Sequence, residues 1–323
     1  MAVRSPGRVV EGRSGLGMVE QSILAAMDAI RARPNSYHKK SLAVLAAVEE
    51  GIGLAPGYAY EMVLDLARPW VVPIRLVDFH GNFGGRDYDA AGPRYTECRL
   101  SPAGGLALRS ERGEVPPLPI GLINGNIYAQ GLRPPLDPLR AITALRRLVD
   151  KPRSPSREIV ELVGPPEFLT GCDLSGDLDS FMAGRPTALR LTGRVVVGDD
   201  SHLIIETLPP NARPHQVIET IIKVDSPRWD GTFPQLGAAT RLGIASIDNH
   251  STSDDVLRLI CTLRPGVDPH QAAERLRRVP GVVTEIAVAH PVPLADLLRA
   301  WVKHHQSEDL ITALDSLETT LTT

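Results

Sequence analysis

Aromatic residues make up only 4% of this 323-residue chain. That scarcity argues against a base-stacking surface of the kind that grips single-stranded nucleic acid. Cysteines number three, Cys98, Cys172 and Cys261. Odd in count and far apart, they predict free thiols in a reducing compartment rather than a disulfide framework. No Cys or His pair has zinc-site spacing, and His304-His305 reads as a surface pair. No run of about 18 apolar residues occurs, and residues 1–10 lack the apolar core of a signal peptide. The expectation is a soluble, cytoplasmic chain that does not enter a membrane. Gly12-Arg13-Ser14-Gly15-Leu16-Gly17 is glycine-rich, but no strand precedes it and no Gly-Lys-Ser/Thr follows, so it does not read as a nucleotide loop. Internal repeats and low-complexity tracts are also absent.

What is present is an ordinary apolar content, 43%, in a length that suits two domains with a core each. The net charge of −3 hides an asymmetry. Residues 1–157 hold 21 Lys/Arg and 15 Asp/Glu, whereas residues 158–323 hold 14 and 23. A basic half ahead of an acidic half fits a duplex-binding domain with a scaffold behind it.

Apolar periodicity predicts helices over 19–32, 39–50 and 58–67, then a strand at 74–77. Helix, turn, helix and strand in that order form a winged-helix pattern. Further on, a strand is expected at 120–123, a basic helix over 137–149, and a linker at Lys151-Pro152-Arg153-Ser154-Pro155-Ser156. Runs at 188–197 and 202–208 around Gly198-Asp199-Asp200-Ser201 signal a hairpin. Helix 214–224, strand 256–263, helix 269–278 and strand 282–288 then alternate, and a last amphipathic helix begins near Leu294. The fold class expected is α+β, with domains at 1–152 and 153–295 and a short C-terminal helix at 296–323.

Tyr95 lies between Arg94 and Arg99, shortly after the glycine turn His80-Gly81-Asn82-Phe83-Gly84-Gly85. A phenol ionises near pH 10 and is a weak nucleophile at neutral pH, but adjacent guanidinium groups lower the cost of the phenolate and hold phosphate oxygens. On residue types alone, a strand-edge tyrosine with solvated arginines is the favoured reading. The order Leu76-Val77-Asp78-Phe79-His80-Gly81-Asn82-Phe83-Gly84-Gly85, Ala90-Ala91, Arg94-Tyr95-Thr96-Glu97 resembles the DNA-cleavage segment of the A subunit of bacterial type IIA topoisomerases, DNA gyrase and topoisomerase IV. Gly12-Arg13-Ser14-Gly15-Leu16 and Tyr37-His38-Lys39-Lys40-Ser41 resemble the start of that family's winged-helix region and its Lys-Lys-Ser helix start. Leu118-Pro119-Ile120-Gly121-Leu122-Ile123-Asn124-Gly125 resembles the strand that leads to its DNA-intercalating isoleucine. Weaker similarity runs on to Leu297-Leu298-Arg299-Ala300-Trp301.

The resemblance implies a winged-helix cleavage domain followed by a tower-like α/β domain, without the long coiled coil, exit gate and C-terminal wrapping domain. It implies Tyr95 as nucleophile, forming a 5′-phosphotyrosyl link to double-stranded DNA, and Arg94 as stabiliser of phosphate charge. Asn82, Arg8, Arg13, Lys39 and Lys40 become candidate DNA contacts, with solvated surface charge the other reading of the four cations, and Ile127 becomes a candidate wedge between base pairs, with core packing its other reading. It also implies a homodimer and a gyrase-B-like partner that binds ATP and completes any Mg²⁺ site, since no acidic cluster for the metal is readable in this chain. Departures bear on activity. Where the family has Lys-Pro-Val-His-Arg-Arg, this chain has Gly17-Met18-Val19-Glu20-Gln21-Ser22, and its His-Pro-His-Gly-Asp turn is replaced by Ile52-Gly53-Leu54-Ala55-Pro56. Three readings stand: a chain that cleaves DNA, a non-catalytic relative that binds DNA or a topoisomerase partner as regulator or decoy, and a diverged scaffold that binds neither.

Overall fold

The computed structural model describes residues 13–125, 134–210, 212–225, 241–252, 257–288 and 293–323. Helix α1 (Met18–Ala29) starts where the Glu20 carboxylate reaches back to the Gly17 N–H, and it buries Ile23, Leu24 and Met27. A two-residue strand β1 (Lys39–Lys40) leads into α2 (Ser41–Ile52), which stops at Gly53 in the left-handed region, φ +65°. Pro56 opens α3 (Pro56–Asp65), which leaves α2 at 117°. Strands β2 (Val77–His80) and β3 (Glu97–Leu100) pair antiparallel, and β1 joins the far edge of β3 to give the order β1-β3-β2. Then come α4 (Pro102–Glu111), α5 (Ile120–Asn124), α6 (Pro138–Asp150) and α7 (Ser156–Val163).

The 120–123 segment, expected as a strand, is thus helical. Three apolar residues between Pro119 and Gly125, Ile120, Leu122 and Ile123, carry no periodicity that separates strand from helix, so packing decides. Gly121 lies directly against Gly15, where an added Cβ would stand 2.1 Å from the Gly15 carbonyl oxygen. The Asn124 amide donates to the Ile74 carbonyl at 2.9 Å and accepts from the Ile74 N–H at 3.0 Å, doing with a side chain what a neighbouring strand would have done.

Strand β4 (Asp173–Gly176), the short α8 (Leu178–Met182) and β5 (Thr187–Thr192) follow, then the hairpin β6 (Val195–Asp199) and β7 (His202–Ile205). The hairpin lies where the turn signal predicts it, but the run 188–197 is cut at Gly193 and feeds two sheets. A Cβ there would meet the Thr207 carbonyl oxygen at 2.4 Å, and the Gly193 N–H donates to the Val282 carbonyl at 2.7 Å. Helix α9 (Pro214–Asp225), β8 (Ile244–Asn249), β9 (Leu259–Leu263), α10 (Pro269–Leu276) and β10 (Val283–Val288) complete the sheets β10-β5-β4 and β6-β7-β9-β8, both antiparallel.

Two apolar clusters result. One joins α1–α8 with the terminal helices α11 (Leu294–His304) and α12 (Leu310–Thr322); the other joins β6–β9 with α9 and α10. Helices α11 and α12 both pack on α6, with Arg146 of α6 bonded to Asp315 and Glu318 of α12. Among the described residues, no single helix is long and apolar enough to cross a membrane.

Candidate functional site

Tyr95 stands at the end of the segment that links β2 to β3, and several backbone contacts hold that segment in place. Gly81 has φ +91°, and a Cβ on it would lie 3.2 Å from the Tyr95 carbonyl oxygen, so the outgoing and returning chains meet closely only because the residue is glycine. Asn82 Oδ1 accepts from the Gly84 N–H at 2.7 Å, and its carbonyl accepts from the Ala91 N–H at 3.0 Å. Phe83 is buried, stacked on Phe79 with 4.4 Å between ring centroids. The first N–H groups of α2 have no partner inside their own helix. They donate outward to this segment instead, Ser41 to the Thr96 carbonyl at 3.0 Å and Leu42 to the Pro93 carbonyl at 3.1 Å.

Beneath the phenol lies a buried hydroxyl chain. Tyr60 of α3 donates to the Ala91 carbonyl at 2.6 Å, and Thr96 Oγ1 sits 2.9 Å from both Tyr60 Oη and Ser41 Oγ. Burial pushes the Tyr60 phenol up, and it pushes the adjacent Cys98 thiol up to about 11 against the opposing bond from Ser41. Two helices therefore clamp Thr96, and Thr96 in turn points its neighbour Tyr95 the other way. The Tyr95 side chain is 71% exposed, and the Arg94 guanidinium carbon lies 5.7 Å from the centre of its ring.

The register extends this alternation across the sheet. Thr96, Cys98 and Leu100 are buried, whereas Tyr95, Glu97 and Arg99 face out. Lys40 opposes Glu97 and its ammonium lies 2.8 Å from that carboxylate, which holds the Glu97 carboxyl below the usual range. On the other side of β3, Asp78 opposes Arg99 at 3.5 Å. The loop between Gly84 and Ala90 reaches the second apolar unit: Arg86 donates to the Leu208 carbonyl at 2.8 Å, Asp89 pairs with Arg213 at 2.9 Å, and Asp87 accepts from Asn249. Among the described residues, no group of three or more His, Cys, Asp or Glu side chains is placed to hold a metal ion.

No family model matches the chain. Curated relatives do. It is 29% identical over 299 residues to the chloroplastic/mitochondrial DNA gyrase A protein of Arabidopsis thaliana, covering 82% of this chain and 30% of the relative. It is 27% identical over 337 residues to the DNA gyrase A protein of Streptococcus pyogenes serotype M1, covering 93% and 39%. Against the DNA gyrase A protein of Streptococcus pyogenes serotype M18 it is 32% identical over 191 residues, covering 51% and 23%. The chain is a divergent gyrase A-like protein. It spans about a third of the length of the curated relatives it matches most fully.

In this gyrase A-like chain, the residues singled out by sequence fall into three groups. Tyr95, Arg94, Lys39, Lys40 and Asn82 come together around β3 and the segment before it, although Asn82 turns its side chain into its own loop. Arg13 goes elsewhere. Its guanidinium donates to the carbonyls of Ser110 at 2.7 Å and Val115 at 3.0 Å and to Glu308 at 2.9 Å, because a half-buried cation takes the carbonyls that a loop leaves open. Arg8 and Ile127 lie outside the described residues. Sequence reasoning missed Ser41, Tyr60, Thr96, His38 and His80. Alternation along 95–100 is a signal that could have assigned Thr96 to the buried side, but nothing local links it to Tyr60 or Ser41.

Proposed function

We propose that this chain is the DNA-cleaving component of a type IIA topoisomerase-like enzyme, forming a transient 5′-phosphotyrosyl link through Tyr95. The observation that carries the reading is the exposed phenol on a backbone clamped from below, with Arg94 against its ring. In the step proposed, the Tyr95 oxygen bonds to the scissile phosphorus and the bond from phosphorus to the 3′ oxygen breaks. The phenolic proton leaves to solvent and the 3′ oxygen gains one. One phosphodiester replaces another, so the 3′ hydroxyl can attack in turn and restore the strand. Arg94 stabilises charge on the phosphate, and the rigid clamp keeps the nucleophile in place before the substrate arrives. Helices α1–α3 with the β2/β3 pair support reading the front unit as winged-helix, and the unit built on β6–β9 as tower-like. The same reading makes the working form a cytoplasmic homodimer and assigns ATP and Mg²⁺ to a gyrase-B-like partner.

A specific observation favours a second reading, a non-catalytic binder of DNA or of a topoisomerase partner. Glu20, Gln21 and Ser22, which replace the family's His-Arg-Arg, all fold back on the start of their own helix. Glu20 takes the Gly17 N–H, Gln21 donates to the Leu16 carbonyl at 2.9 Å, and Ser22 donates to the Met18 carbonyl at 2.8 Å. Incubating plasmid with the full chain, with and without a B-type partner, Mg²⁺ and ATP, and trapping with detergent separates the two. Protein-linked breaks that vanish in Tyr95→Phe support cleavage. DNA binding without any linked break in the wild type favours the binder.

A further inference from the structure

His38 and His80 have no part in the cleavage step, yet they form the closest ring contact on the outer face of the sheet that carries Tyr95. Their imidazoles stack with 3.7 Å between centroids and 26° between planes. The two come from opposite edges of that sheet. His80 ends β2 and opposes Glu97, while His38 directly precedes Lys39, which opposes Cys98. To meet, the rings must arch over the central strand, on the side shared by Tyr95, Glu97 and Arg99. The ionisable groups around them come from all three strands. From β1 comes Lys40, bound to Glu97; from β3, Glu97 and Arg99; from β2, Asp78, bound to Arg99; and Arg94 with Tyr95 lies just before β3.

Each carboxylate beside the stack is already held by a cation, so a protonated imidazole there finds little uncommitted negative charge. Burial first, then the facing His80 ring and Arg99, hold His38 below the usual imidazole range, against the pull of Asp78 and Glu97. Two stacked imidazoles, flanked by Lys40 and Arg99, suit an incoming anion. A phosphate oxygen would supply the charge that the stack lacks and draw a proton onto it.

We propose that the His38–His80 stack is a proton-linked phosphate-binding site that takes a backbone phosphate of duplex DNA beside the one facing Tyr95. The inference rests on the DNA reading under Proposed function. Because the ligand favours the protonated pair, binding takes up protons, and affinity rises as pH falls through the imidazole range.

The test uses the full chain carrying Tyr95→Phe, so that cleavage does not interfere, and a short duplex followed by fluorescence anisotropy. Between about pH 8 and about pH 6, affinity should rise roughly 3–10-fold. His38→Gln and His80→Gln should each flatten that rise without changing thermal unfolding at the higher pH. His38→Arg supplies a permanent cation and should bind at the higher pH as tightly as the parent does at the lower. A pH dependence that survives both Gln substitutions overturns the inference while leaving DNA binding intact. Absence of binding at both pH values overturns the DNA reading and the inference together. A second arm follows the imidazole proton resonances of the same protein with inorganic phosphate in place of duplex. Equal shifts at equal phosphate concentration would make this a free-anion site and overturn its assignment to DNA.

Discussion

The sheet that carries Tyr95 and the four-stranded sheet β6-β7-β9-β8 bury one face alike and differ on the other. Thr96, Cys98 and Leu100 point inward from the first; Leu203, Ile205, Leu259, Cys261 and Leu263 point inward from the second. Each includes a cysteine whose thiol burial pushes up, Cys98 to about 11 and Cys261 to about 12. Outside, the first sheet gathers His38, Lys40, Asp78, His80, Glu97 and Arg99 around one strand. The second has the half-buried aliphatic row Val196, Ile204 and Ile260, in register. Inner faces report only where a core lies, since any well-packed sheet needs one. The outer faces differ in chemistry, and a dense ionisable patch beside an exposed phenol is what a phosphate-binding surface needs.

Equivalence of the inner faces can be broken with the largest effects. Leu100→Ala and Leu203→Ala should each lower the unfolding free energy by about 2–5 kcal/mol in denaturant titrations. A loss confined to one of them would show that the sheets do not share a burial logic. The hydroxyl chain makes the next difference. Thr96→Val removes the atom between Tyr60 and Ser41 and should cost about 1–3 kcal/mol, with a matching fall in DNA cleavage. Thr262→Val, on the outer face of the second sheet, should stay within about 0.5 kcal/mol.

A pH series sharpens the comparison further. Asp65, at the end of α3 in the tyrosine-bearing unit, has its carboxyl pushed up to about 6 by burial, in spite of Arg68 at 3.5 Å. A folded-state value raised above the unfolded one favours the fold at low pH. That contribution is complete below the ordinary aspartate value of 3.8 and is lost as pH rises through about 6. Asp65→Asn should therefore flatten the decline and raise stability near neutral pH by about 1–2 kcal/mol. The smallest effect separates two cations. Lys40→Ala should lower the salt dependence of DNA binding by up to about one counterion and leave stability within about 0.5 kcal/mol. Arg13→Ala should leave the salt dependence alone and cost about 1–2 kcal/mol, because the Ser110 and Val115 carbonyls lose their donor.

Several elements are legible in the sequence. Amphipathic stripes and Pro/Gly punctuation locate α1, α2, α3, α6, α9 and α10 to within a few residues, because those signals act through neighbours in the chain. Others are not. Strand β2 begins at Val77 instead of residue 74, and Lys39-Lys40 form an edge strand where a helix start was expected. The C-terminal region divides into α11 and α12, with the Asp309 side chain accepting from the Thr312 N–H at 3.1 Å to start the second. Such changes are settled by which partner lies alongside, and spacing in the sequence carries no record of the partner.

By itself the sequence determined the order of Arg94 and Tyr95 after a glycine turn, the alternation that faces Tyr95 away from Thr96, the excess of cations in the first half, and the isolation of three cysteines. Tertiary structure alone decided that Ser41 and Tyr60 would clamp Thr96, that Arg13 would be engaged within the fold, and that His38 would lie over His80. The physical reason is range. Turn geometry and strand alternation are decided within a few residues, whereas a hydrogen bond or ring stack between distant residues forms only after packing has fixed both backbones within a few ångströms of each other.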